Sequence, residues 1–138
     1  MPGGDGLLGA ALQGRDAKAM IALLLALPLA VLMHEATHGV TLKLGGARPE
    51  LAIRHGWDRR LLLSAGLGWA YHADGVSVST RRLSYLLGPL AGLTVWLVAA
   101  LAVGGWWGVW CAVIGAADFC ANWWLGSSCD GAGWRRLR

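Results

Sequence analysis

The feature that most constrains this chain is the run from Met20 to Met33, "MIALLLALPLAVLM", which carries no charge and leads directly into "HEATHG" at 34–39. Fourteen consecutive uncharged, mostly aliphatic residues followed by two histidines and a glutamate leave few options. Read as a helix, residues 20–44 extend about 37 Å at about 1.5 Å per residue, enough to cross a hydrocarbon core of about 30 Å with tilt. Pro28 is tolerable in a membrane helix, and Gly45-Gly46 ends the segment. Arg15 and Lys18 precede the run as they would in a secretory signal, but no small-residue cleavage site follows. The segment is expected to be a retained span. Composition agrees: 56% hydrophobic and 14% charged residues, with a mean hydropathy of +0.49, are too apolar for an ordinary soluble domain. Nine tryptophans against one phenylalanine suit membrane interfaces.

The rest of the chain completes a membrane bundle. A second span is expected from about Leu83 to Val103 and a third from about Trp106 to Leu125, joined so tightly at Gly104-Gly105 that they form an antiparallel hairpin. Between the first two spans, residues 47–82 hold short β-prone runs ("ELAIRHGW", "LLLSAG", "LGWAYHADG", "VSVST") broken by Gly and Asp, which predict two to four short strands. Residues 1–19 read as a glycine-rich N-terminal tail, and 132–138 as a basic C-terminal tail. The predicted fold class is therefore an α-helical membrane protein with three transmembrane helices and a small membrane-associated β element between the first and second.

Charge sets the expected orientation. Segment 43–82 carries Lys43, Arg48, Arg54, Arg59, Arg60, Arg81 and Arg82, and the C-terminal tail Arg135, Arg136 and Arg138; only Arg15 and Lys18 lie on the other side. By the positive-inside rule the β segment and C-terminus face the cytosol and the N-terminus lies outside, in the cell membrane. Trp106, Trp107 and Trp110 fall in the outer aromatic belt. The net charge of +4 forms no stripe interleaved with aromatics, so no nucleic-acid partner is expected. The arginine pairs at 59–60, 81–82 and 135–136 suit anionic lipid instead. An odd count of three cysteines, two of them (Cys111 and Cys120) in apolar runs, argues against a disulfide framework.

His34 and His38 are four residues apart and so share one helix face, a spacing that lets two imidazoles bind one zinc ion. Glu35 between them is placed to act as general base on a water that zinc activates. Ionisable side chains deep in a span cost roughly 2.5–3.5 kcal/mol on insertion scales, so a chance cluster is disfavoured there. A third protein ligand is required. Asp118 and Asp130 are candidates, with Cys129 as a rival. His34 falls about 21 Å below Met20 and Asn122 about 22 Å below Trp107, a similar depth, with Asp118 a turn higher. The turn-rich "GSSCDG" at 126–131 can bend the chain back and bring Asp130 to the histidines. Spacing alone leaves the choice open. His55 and His72 read as surface residues of the β segment.

"HEATHG" at 34–39, "GPLAG" at 88–92 and "NWWLGSSCDG" at 122–131, in that order and each on its own span, resemble the motifs of the site-2 protease family of intramembrane zinc metalloproteases. The resemblance covers roughly residues 20–131. It implies zinc ligation by His34, His38 and Asp130, one ion per chain, with Glu35 as catalytic base. It also implies substrate positioning by Asn122 and by Gly88-Pro89, and a β element that presents an edge to an unwound substrate. Two positions depart from the family pattern: Gly92 stands in place of an Asn, and the Pro expected after Asn122 is absent, leaving Leu125. With no further recognisable domain, the chain reads as a minimal core. The implied partners are a membrane protein substrate with a transmembrane segment, the bilayer itself, and a regulatory protein or second copy. Two other functions are compatible with the same residues. One is a zinc enzyme acting on a lipid or other non-protein substrate; the other is a non-hydrolytic partner protein with a structural zinc, for which Glu35 would have no use.

Overall fold

A computed structural model of the chain describes residues 4–56, 64–70, 72, 75–125 and 130–137. The chain is mostly helical, in the order α1 (Gly4–Leu44), β1 (Glu50–Gly56), β2 (Ser64–Ala70), α2 (Val78–Val103), α3 (Gly105–Trp124) and α4 (Asp130–Arg136). Helix α1 packs on α2, α3 packs on α2, and the short α4 returns against α2 and α3.

Two of these helices are long and apolar enough to cross a membrane: Asp16–Leu44 within α1, and the whole of α2. Their apolar surface faces outward rather than into a core. Leu24 is 70% exposed and Leu101 85%. A soluble protein buries most of the surface of such helices, whereas lipid covers it without cost. Helix α3 has 20 residues, about 30 Å at about 1.5 Å each, and Asp118 is its one charged side chain.

What the helices do bury is small. Ala26 and Ala30 of α1 meet Trp96 of α2 and Cys111 of α3, with Leu23, Val95 and Ile114 packed around them. Gly115 makes room for the Trp96 side chain, and Gly108 lets α3 approach the Ala100 carbonyl of α2. This close backbone approach is how helices associate where no hydrophobic force separates partner from lipid. Gly104 and Gly105, at φ 67° and 52°, take the left-handed conformation that turns α2 directly into α3. Cys111 is buried, Cys120 exposed, and both are free thiols.

Strands β1 and β2 form an antiparallel pair with Glu50 opposite Ala70 and Gly56 opposite Ser64. The hairpin reaches α1 through Trp69, which joins a small cluster of Leu42, Ala47 and Val76. Helix α1 ends in a glycine turn: Gly46 has φ 87°, its N–H donates to the Lys43 carbonyl, and Ala47 donates to that of Leu42.

Three sequence expectations need correction. Residues 4–19 are not a separate tail, because they belong to α1, which runs unbroken from Gly4 to Leu44. Once a helix is nucleated, each added residue gains a hydrogen bond, so a few glycines do not stop it. "VSVST" is not a strand. Ser77 caps α2, its Oγ accepting from the Thr80 N–H at 3.0 Å, and the β-branched residues after it form the first turn. That cap starts α2 at Val78, and Gly88-Pro89 lies well inside the helix. The basic C-terminal segment is not a bare tail, because α4 runs through it to Arg136. Arg59, Arg60 and Cys129 lie outside the described residues.

Candidate metal centre

The "HEATHG" turn lies on α1 where α2 crosses it. His34 and His38 point the same way, and their Nε2 atoms are 3.0 Å apart. Asp130, ninety-two residues beyond His38, completes the group: its Oδ2 lies 2.9 Å from His34 Nε2 and 3.2 Å from His38 Nε2. Both histidines are buried. Glu35 Oε1 stands 4.0 Å from His34 Nε2, beside the cluster rather than within it. Burial opposes the charge on Asp130, but hydrogen bonds to His34 and His38 outweigh it and hold the carboxyl below its ordinary value.

Asp130 reaches this position because α4 is fastened at several points. Gly131 sits against the Trp123 carbonyl and Gly133 against the Tyr85 ring, each so close that a Cβ would collide. Arg82 of α2 donates to the Leu137 carbonyl at 2.6 Å and lies over the Trp134 ring. Arg135 donates to the Trp123 carbonyl at 3.1 Å, and the rings of Trp123 and Trp134 are 6.0 Å apart. The "DGAGW" sequence is thus a docking segment whose first residue is delivered to the histidines.

The donor geometry suits one metal ion. Zinc bonds of about 2.0–2.1 Å in a tetrahedron place neighbouring donors about 3.3 Å from one another. The three edges here, 3.0, 2.9 and 3.2 Å, are close to that face. Among the described residues the group offers three donors, two imidazoles and a carboxylate; zinc sites with three protein ligands keep the fourth position for water or substrate.

The remaining residues picked out from the sequence divide. Asp118 is not part of the His34–His38–Asp130 group. It accepts from the Asn122 side-chain amide at 3.2 Å through Oδ1 and at 3.0 Å through its carbonyl, so the donor end of Asn122 is engaged within α3. Gly88 is packed against the His38 ring, and a Cβ there would overlap the imidazole. Pro89, one residue on, is fully buried. At Gly92 a Cβ would make only ordinary contacts, 3.5 Å to the Ala30 carbonyl and 3.7 Å to His34. His72 is exposed.

Two residues that the sequence reading passed over touch this region. Ser84 is 3% exposed and holds its Oγ 3.0 Å from His38 Nδ1. A lone serine one helical turn before Gly88 was the only available signal. Trp69 of β2 donates from Nε1 to the Glu35 carbonyl at 2.6 Å, with its ring against Gly39. The hairpin is therefore latched onto the same turn of α1 that carries the histidines. Comparisons of the chain with protein-family models, with curated proteins and with solved structures give no match.

Proposed function

We propose that this chain is an intramembrane zinc endopeptidase of the site-2 protease type, with α1, α2 and α3 all crossing the bilayer and the C-terminus in the cytosol. The observation that carries the reading is the convergence of His34, His38 and Asp130 from the two ends of the chain, with Glu35 beside them. The resemblance of the three motifs supports it. The same donor set also suits iron(II), but a glutamate next to the first histidine on an HExxH helix favours hydrolysis.

When bound at these donors, a zinc ion supplies Lewis acidity and makes water a competent nucleophile near neutral pH. The chain's own residues do the rest. His34, His38 and Asp130 would hold the ion. Glu35, 4.0 Å from His34 Nε2, takes a proton from the attacking water and returns it to the leaving amine. The apolar surroundings of α1 and α2 keep bulk water away, which strengthens every charge interaction at the site. A transmembrane substrate hides its backbone in its own helix and must unwind to be cut. The β1–β2 hairpin, held by Trp69 beside Glu35, offers strand hydrogen bonds that compensate the freed amides.

The test pairs cleavage with metal content. Purified protein is reconstituted with a panel of single-span peptides, and products are read by mass spectrometry. Wild type should cut within or next to a span. Glu35→Gln should lose cleavage by at least about a thousandfold, of the order expected for losing a general base and its electrostatics together, while retaining one zinc per chain. Cleavage retained in Glu35→Gln would contradict the mechanism.

A further inference from the structure

Metal-binding histidines work only when the nitrogen facing the ion presents a lone pair. The ring's proton must then sit on the other nitrogen, and an acceptor there fixes both tautomer and ring orientation. His38 directs Nε2 to the group shared with His34 and Asp130 and turns Nδ1 the other way, to Ser84 Oγ at 3.0 Å. That hydroxyl comes from α2, forty-six residues away, and is buried. One turn further along α2, Gly88 leaves the space that the His38 ring occupies. The Tyr85 ring stands edge-on at 6.3 Å. One face of α2 is thus shaped to hold a single imidazole: an oxygen for Nδ1 and a missing side chain for the ring.

We propose that Ser84 is a positioning residue for the metal centre. It accepts the Nδ1 proton of His38 and so holds Nε2 in its ligating form, while Gly88 sets the ring's depth. This rests on the metal reading given above and adds a role for α2, which contributes no ligand itself. It makes the α1–α2 crossing part of the site: a shift of α2 along α1 moves the acceptor away from His38 and loosens the ion without touching a ligand.

The test measures metal affinity, not activity. Full-length protein in detergent is loaded with zinc(II) and titrated with a chelator of known affinity, and cobalt(II) loading gives visible bands that report ligand geometry. Ser84→Ala removes only the oxygen and should weaken zinc binding about tenfold to a hundredfold, the usual loss for such a partner, and shift the cobalt bands. Ser84→Thr keeps the hydroxyl and should stay within about threefold of wild type. Wild-type affinity and bands in Ser84→Ala would overturn the role of Ser84 while leaving the metal centre standing. Equal losses in Ser84→Ala and Ser84→Thr, with helicity unchanged, would mean a packing requirement and would also overturn it. Failure of the wild type itself to bind zinc would instead remove the metal reading on which the role depends.

Discussion

Glycine does much of the shaping around the histidines. At Gly88 any Cβ enters the His38 imidazole, whereas at Gly92, one turn along the same helix, it meets nothing closer than 3.5 Å. Gly88→Ala should therefore displace His38 and weaken zinc binding by more than tenfold, of the order seen when the surroundings of a ligand are disturbed. Gly92→Ala should bind as wild type does. Chelator titration of the two variants side by side checks the contrast. The sequence made "HEATH" legible because helix periodicity alone places i and i+4 on one face. Ser84 was not legible, since its value depends on where α2 crosses α1, and no spacing within either helix encodes that crossing. The third ligand lay between the two cases. Spacing left Asp118 and Asp130 both open, and it is the folding back of α4 that sets Oδ2 of Asp130 at 2.9 Å from His34.

Two small elements are held to the helices by a few named contacts. The β1–β2 hairpin meets α1 through Trp69, whose indole N–H bonds the Glu35 carbonyl and whose ring covers Gly39. Trp69→Phe removes that hydrogen bond and should loosen the hairpin by about 1 kcal/mol; amide exchange across 64–70 should quicken by about fivefold. Unchanged exchange would show that the latch does not hold the hairpin. Helix α4 has seven residues, too few to persist alone, and it relies on Arg82 and two close glycine contacts. Arg82→Ala should leave the ligands intact yet release the C-terminal end of α4, whose first residue is Asp130, weakening zinc several-fold in the same titration. At this scale the sequence was legible where helices end, because Gly45-Gly46 and Gly104-Gly105 are turn signals in themselves. It misled where local propensity and a cap disagreed: "VSVST" is rich in β-branched residues, but Ser77 capping Thr80 commits the segment to helix.

For the whole molecule, the surface decides. Long apolar helices turn Leu24, Leu25, Val98 and Leu101 outward, an apolar surface that suits a lipid covering. The protein should sediment with membranes and resist alkaline extraction. The basic residues of 43–82 and 135–138 should face the cytosol, so a tag fused after Arg138 should react with an antibody only once cells are permeabilised. Reaction in intact cells would reverse the orientation and place the metal centre near the outer face. The sequence pattern foretold α1, α2 and α3 in their order, but not α4, whose residues read as a turn and a basic tail. It did not foretell how little they bury, because Ala26, Ala30, Trp96 and Cys111 form the centre of the α1–α2–α3 contact and many large side chains stay on the outside.

The functional reading depends on one ion held at one place. The measurement that tests it most directly is the metal content of detergent-purified full-length protein by elemental analysis, for wild type, Asp130→Ala and Cys129→Ala. The account predicts one zinc per chain in wild type and in Cys129→Ala, and loss of that zinc in Asp130→Ala. Zinc retained in Asp130→Ala, or no metal in the wild type, would contradict it.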